Sequence, residues 1–371
     1  QAAAGGTVGF GVRTTTVERI YDRFLGAQIN QENANLGRWE AQKGMLERVE
    51  VAFDETGGYG LNQALSKFWA GWQDLAMNPS GGVERAVLAG AGQNLADRIR
   101  RTYAELGQVR RDIDASLAAG LEEINRLSAS IADLNEKIAR IEVGGTGMAN
   151  DYRDSRDLAL KQLSELIEIQ SHEDSAGRVV VSVGSGRVLV ESANHYDLSL
   201  RADVEGDAQL MWPDIGGGWT DISGEIGAGQ VGGWLQARDE KVAGYMSRLD
   251  QLAEGLITAV NALHSAGSGI DGSTGINFFS GSRAADMAVT EEILSDFNQI
   301  AAAFSGSPPG DASNALRIAA LQTARTMDAG ALTFDDAANA IISQVGSDVR
   351  EAKAYASHQA DMMTYLENYR E

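Results

Sequence analysis

The chain has 371 residues, with 31 Lys+Arg against 52 Asp+Glu for a net charge of −21, four His and no Cys. Without cysteine there is no disulfide framework, thiol nucleophile, zinc–thiolate site or iron–sulfur cluster. The negative charge repels nucleic acid and anionic membranes, while a 43% hydrophobic content argues for packed domains over disorder.

No stretch approaches the ~18–20 uninterrupted apolar residues that a membrane span requires. The start, Gln1–Ala2–Ala3–Ala4–Gly5–Gly6, has neither the basic beginning nor the apolar core of a signal peptide, and reads as an edge with further sequence expected beyond it. Val17, Ile20 and Phe24, followed by Leu36, Trp39, Leu46 and Val49, predict an N-terminal helix. A short helix follows, on which Phe68, Trp69 and Trp72 cluster. Aromatics at i, i+1 and i+4 can anchor a partner, but the reading as a plug between helices is favoured.

The prolines are Pro79, Pro213, Pro308 and Pro309, leaving 80–212 free of them, and between Ile99 and Val143 only Gly107 and Gly120 occur. Proline and glycine break helices, so their scarcity permits one long helix. Periodicity makes the case positive. From Leu106, the apolar positions Val109, Ile113, Leu117, Leu121, Ile124, Leu127, Ile131, Leu134, Ile138 and Ile141 make ten steps over 35 residues, a mean of 3.5. With the stretch from Val83, the helix reaches ~85 Å at about 1.5 Å per residue. Gly144–Gly145–Thr146–Gly147 should end it. Asn150 or Asp151 should cap the next helix, with Leu158, Leu163, Leu166 and Ile167 on one side.

Arg178–Val183 and Arg187–Val190 flank Gly184–Ser185–Gly186, a hairpin signal. Tyr196–Leu200, Gln209–Trp212 and Trp219–Ile222 are further strand candidates. Residues 231–264 and 334–369 return to helical spacing, the second through Phe334, Ile341, Val345, Val349, Ala352, Met362, Leu366 and Tyr369. The expected class is mainly α with a β insertion (α+β): an elongated helical bundle or rod carrying a small antiparallel β domain. The expected division is 1–168 for the first part of the rod, 169–229 for the β domain and 230–371 for the returning helices, with Gly/Ser-rich loops near 266–312.

Motifs for chemistry are weak. There is no phosphate loop, HExxH or GxSxG, and Gly184–Ser–Gly186 lacks the third glycine of a dinucleotide site. His172, His195, His264 and His358 are scattered, with none at helical ligand spacing from another. Asp151, Asp154 and Asp157 could hold a hard cation, but first-turn acids beside Arg153 and Arg156 are better read as dipole and ion-pair partners. Asp271–Gly–Ser–Thr–Gly275 lacks the later acidic ligands of a calcium loop and reads as a turn. No catalytic, cofactor or metal residues are nominated.

Four blocks together are similar to the family of flagellar hook-associated protein 1, the junction proteins between hook and filament. They are Phe68–Trp–Ala–Gly–Trp–Gln–Asp–Leu–Ala–Met–Asn–Pro–Ser80 with Arg85; Ile131–Ala–Asp–Leu–Asn–Glu–Lys–Ile138; Ala149–Asn–Asp–Tyr–Arg–Asp–Ser–Arg–Asp157; and Gly232–Gly–Trp–Leu–Gln–Ala–Arg–Asp239, continuing to Asn261 and His264. The resemblance covers roughly residues 10–270. The motif residues it marks as structural are Phe68, Trp69, Trp72, Gln73, Asp74, Pro79, Arg85, Asn135, Asn150, Asp151, Arg156, Asp157, Arg238, Asp239 and Asn261.

The resemblance implies a non-enzymatic, extracellular component of the bacterial flagellum, exported unfolded through the flagellar type III apparatus. Implied partners are further copies in an axial ring, the hook protein, the second hook–filament junction protein and, for the full-length chain, an export chaperone, with no nucleic acid, membrane or cofactor. It also marks the chain as a core fragment lacking the family's terminal coiled-coil segments. Competing readings are a helical sensory or adhesin ectodomain, another axial protein such as flagellin, and a carboxylate-based glycosidase.

Overall fold

The computed structural model describes residues 23–53, 60–143, 149–204, 206–214, 216–308 and 310–370. The expectations placed on Val17, Ile20, the turn at Gly144–Gly147 and Pro309 lie outside them. Helices α1 (Arg23–Ala52) and α2 (Leu61–Met77) lead into α3 (Gly82–Val143), whose 62 residues span about 90 Å. The 3.5-residue stripe is its buried face: Leu106, Ile113, Ile124, Ile131 and Ile138 are all fully enclosed.

Helix α4 (Asn150–Leu166) runs back along α3. Neither Asn150 nor Asp151 caps it. The cap position is Ala149, whose N–H donates to Glu142 at the end of α3 at 3.3 Å. The first-turn N–H groups of Tyr152 and Arg153 donate instead to the Ala149 carbonyl at 3.1 and 3.0 Å, and the Glu142 carboxylate holds the N–H of Ala149 itself. The buried face of α4 is Arg156, Ala159, Leu160, Leu163 and Ser164, with Ile167 buried just past its end, and Leu158 points to solvent.

Among the described residues, the antiparallel β insertion is built as two sheets. The first orders β1 (Ile169–Glu173), β2 (Val179–Val183), β3 (Arg187–Glu191) and β4 (Asn194–His195) antiparallel; the second orders β5 (Ser199–Ala202), β6 (Ala208–Pro213) and β7 (Trp219–Asp221). Strand β1 has no sequence signal because Gln170, Ser171 and His172 face solvent. Tyr196 precedes its predicted strand, which begins at Ser199. Gly184 and Gly186 take positive φ of 52° and 92° in the β2–β3 turn, where a side chain would be strained. The sheets interlock where the Trp212 indole donates to the Val188 carbonyl at 3.0 Å.

Helix α5 (Gly229–Gln236) passes through a π-helical turn (Ala237–Val242) into α6 (Ala243–His264). Two short pairings follow, β8 (Gly267–Ser268) with β11 (Ala303–Phe304) and β9 (Phe279–Ser280) with β10 (Ala288–Val289), around α7 (Glu291–Ser295). Helices α8 (Ser313–Ala320) and α9 (Phe334–Arg370) complete the chain. Helix α9 lies antiparallel to α1: Trp39 stacks on Tyr355 at 4.5 Å, and Gln359 donates to the Glu32 carbonyl at 3.3 Å. Its inner residues near the end are Met363 and Leu366, while Met362 and Tyr369, placed inside by the sequence reading, are exposed, as is Phe24 on α1.

Helix α3 threads two apolar cores. Leu88, Leu95 and Ile99 join the tryptophans of α2, parts of α6 and α8, and Phe278. Leu106 through Ala132 join α1, α4, both sheets and α9. The strands thus share their core with the long helix.

Candidate functional site

The sequence blocks converge on buried polar ties that hold separate segments onto α3. At its first end, Phe68, Trp69 and Trp72 are fully enclosed. Trp72 meets the Phe278 ring at 5.5 Å and the His264 ring at 6.1 Å, and Trp69 meets Phe334 at 5.9 Å. The plug reading therefore prevails over a surface anchor. Gln73 and Asp74 sit on the opposite, exposed side of α2, and Gln73 donates to Gln322 at 3.2 Å. Behind the plug, the Asn261 amide oxygen accepts from Phe278 N and Phe279 N, both at 2.9 Å, and its Nδ2 donates to the Phe279 carbonyl at 2.7 Å. One side chain thereby satisfies three backbone groups of an irregular loop.

His264 completes this end. Its Nε2 accepts from Ala301 N at 3.0 Å, so the proton resides on Nδ1, which donates to the Ile276 carbonyl at 2.7 Å. Burial pushes its pKa down to about 4.

Arg85, 2% exposed, donates Nη1 to the Ile300 carbonyl and Nη2 to the Pro79 carbonyl, both at 2.7 Å. Pro79 thus contributes its carbonyl to a tie between the α2–α3 corner and a loop over 200 residues away. Burial lowers the Arg85 pKa, against the pull of Asp271 and Asp296. The Asp271 carboxylate itself accepts from Ser273 N at 3.0 Å, closing the turn expected there.

Further along α3, the buried Asn135 accepts from Val179 N at 2.9 Å and donates to the Val179 carbonyl at 2.8 Å. Arg156 from α4 donates Nη1 to Asn135 Oδ1 at 3.0 Å and to the Gly177 carbonyl at 2.8 Å. These two side chains clamp the β1–β2 turn to both helices. Arg153 adds ion pairs to Glu142 at 2.7 Å and Glu173 at 3.0 Å, and its hydrogen bond holds Glu142 below the usual carboxylate range. Asn150 and Asp157 are half-buried and Asp151 is exposed in the first turn of α4.

The third tie is Arg238, 2% exposed within the π-helical turn. It donates to Asp114 of α3 at 2.6 Å, to the Ala208 carbonyl at 2.7 Å and to its neighbour Asp239 at 2.6 Å. Burial depresses its pKa, but the two carboxylates outweigh that and raise it.

Sequence reasoning missed Asn125, which exchanges two 2.9 Å hydrogen bonds with the backbone of Leu198, and the buried Asn314. A mid-helix asparagine beside an apolar stripe was the available signal for Asn125. His172, His195 and His358 are exposed. Among the described residues, no three His or carboxylate side chains converge as a metal ion requires. Likewise among them, no helix is long and apolar enough to cross a membrane. What this arrangement can do is mechanical: each fork holds two or three segments against sliding.

The model of the flagellar hook-associated protein FlgK helical domain matches residues 46–279, more than half of the chain. Flagellar hook-associated protein 1 of Bacillus subtilis (strain 168) is 26% identical over 389 aligned positions, covering 95% of this chain and 76% of that protein. The protein of the same name from Salmonella typhimurium is 26% identical, covering 75% of this chain but 51% of its own length. The flagellar hook junction protein FlgK from Burkholderia pseudomallei superimposes with a TM-score of 0.81 at 15% identity, covering 93% of this chain and 99% of that one. At that identity the likeness establishes a shared fold.

Proposed function

Because the chain belongs to the flagellar hook-associated protein FlgK helical-domain family, we propose that it is a structural part of the bacterial flagellum, at the junction between hook and filament. The role is mechanical, not enzymatic, and is exercised outside the cell as part of the axial structure. The observation that carries the reading is the set of buried arginine forks. Arg85, Arg156 and Arg238 come from family-like blocks; Arg85 and Arg238 tie the α3 region to segments more than 100 residues away in sequence, and Arg156 ties α4 to the β1–β2 turn.

Such forks suit a part that transmits torque. A planar guanidinium meets several acceptors at fixed angles, so it resists shear where apolar contacts would slide. In this reading the 169–229 unit is a surface module on a rod built from 1–168 and 230–371. The partners are further copies of the chain, the hook protein and the second junction protein, with an export chaperone before secretion.

Immunogold labelling of intact flagella with antibody to this chain tests the proposal. Gold confined to the boundary between hook and filament supports it. Label along the whole filament would make the chain a filament protein, and label over the cell surface would favour the adhesin or sensor reading.

A further inference from the structure

The arginine forks each act inside one of the two apolar cores. Arg85 binds carbonyls beside the core of Phe68 and Trp72, while Arg156 and Arg238 bind elements of the other. Among the described residues, α3, α6 and α9 carry buried rows that pass from one core to the other. The crossings fall between Ile99 and Leu106 on α3, between Tyr245 and Leu249 on α6, and between Ala338 and Ile341 on α9. On α3 the inward residue there is Thr102, 1% exposed, whose hydroxyl has no hydrogen-bond partner among the described residues. A tie that does reach across, Arg98 to the Ala52 carbonyl at 3.0 Å, lies beside the crossing itself.

Each of these helices places a glycine within about two turns of its crossing: Gly107, Gly244 and Gly346. They stand at one level. Helices α3 and α6 run antiparallel, with Arg238 on Asp114 at 2.6 Å and the Tyr103 hydroxyl donating to Asp250, which sets Gly107 opposite Gly244. Lys241 and Tyr245 both bind Asp348, which sets Gly244 opposite Gly346.

Packing does not require these glycines. A Cβ at Gly244 meets nothing within 4 Å, and at Gly107 and Gly346 it meets only an arginine of the same helix, at 3.6 and 3.4 Å. Glycine inside a helix weakens it relative to alanine. Two of the three also stand at features where helices kink: the π-helical turn ends just before Gly244, and Ser347 follows Gly346.

We infer that this level is a hinge, at which the two ends of the molecule bend against each other while each core stays intact. Bending concentrates where the helical backbone is least restrained and no apolar layer has to slide. The hinge gives compliance to the mechanical part proposed above, and rests on that reading only for its use.

Spin labels on paired cysteines, in a chain that otherwise has none, test the inference. Lys67 on α2 and Glu40 on α1 are exposed and belong to helices of different cores. The pair Glu40→Cys/Lys67→Cys should give a distance distribution at least about twofold broader than Lys67→Cys/Val87→Cys or Glu40→Cys/Leu158→Cys, each of which stays within one end. Adding Gly107→Ala/Gly244→Ala/Gly346→Ala should narrow the broad distribution to the width of the other two. Gly44→Ala/Gly90→Ala, at helical glycines equally open but away from this level, should leave it broad.

A wild-type distribution across the cores as narrow as those within them would overturn the inference. So would no narrowing by the triple alanine variant, or equal narrowing by Gly44→Ala/Gly90→Ala. Labelling at the hook–filament boundary is unaffected by any of these results, so the two readings fail separately.

Discussion

The Tyr245 hydroxyl donates a 2.5 Å hydrogen bond to Oδ2 of Asp348, joining the start of α6 to the middle of α9. Oδ1 of the same carboxylate accepts from Lys241 at 2.9 Å and from Gln344 at 3.1 Å. Asp348 is 4% exposed, so a long-range seam closes on a buried charge. Burial alone would raise its pKa, but the hydrogen bonds from Tyr245 and Lys241 outweigh that and hold it low.

Tyr245→Phe should therefore cost about 1.5–3 kcal/mol, the range for a hydrogen bond to a charged group. A carboxylate with a lowered folded pKa contributes stability above its unfolded value of 3.8 and loses it as pH falls through the folded value. The deficit of Tyr245→Phe should be full at neutral pH and shrink below pH 3.8. Urea titrations of both proteins at stepped pH measure it.

His264 acts in the same direction over another window. Its unfolded pKa is 6.5 and its folded value about 4, so in that interval the unfolded chain binds the extra proton. Stability should fall as pH drops from 6.5 toward 4, by about 3 kcal/mol in all at 1.36 kcal/mol per pKa unit. His264→Gln should flatten that slope while lowering stability at neutral pH. Denaturant midpoints from pH 7 to pH 4 decide the matter.

Two glycine-to-alanine changes should have opposite signs. A Cβ on Gly233 would lie 2.3 Å from the Arg38 carbonyl oxygen, so α1 and α5 would have to separate. Overpacking of that kind costs about 1–3 kcal/mol. At Gly244 in α6 a Cβ meets nothing within 4 Å, and Gly244→Ala should stabilise by about 0.5–1 kcal/mol through helix propensity. Thermal melts of the two variants should bracket the wild type.

Trp72→Ala should remove about 3–5 kcal/mol as a fully buried aromatic. Calorimetry of the folded chain measures the loss. Unchanged stability together with lost binding to an axial partner would instead make the indole an interface residue.

Much of the candidate site was legible. The aromatic block at 68–72 favoured a plug but left a partner anchor open, and burial of all three rings decides for the plug. Arg85, Asn135, Arg156 and Arg238 were marked by their blocks, but what they hold was hidden. The acceptors of Arg85 are carbonyls at 79 and 300, and a carbonyl carries no sequence signature. Asn125, outside every block, looked like one more polar residue on a long helix.

By itself the sequence determined α3, because the 3.5-residue spacing from Leu106 to Ile138 and the missing prolines are local properties that only a helix can use. It also determined the hairpin at Gly184–Gly186 and the exclusion of thiol chemistry. The tertiary structure alone decided which side of each returning helix is inside. On α9, Met362 and Met363 belong to adjacent stripes of equal spacing, and periodicity cannot choose between them. Packing against α1 makes Met363 core and leaves Met362 exposed. The reason is that spacing sets where a helix could be covered, whereas burial depends on which other segment arrives there.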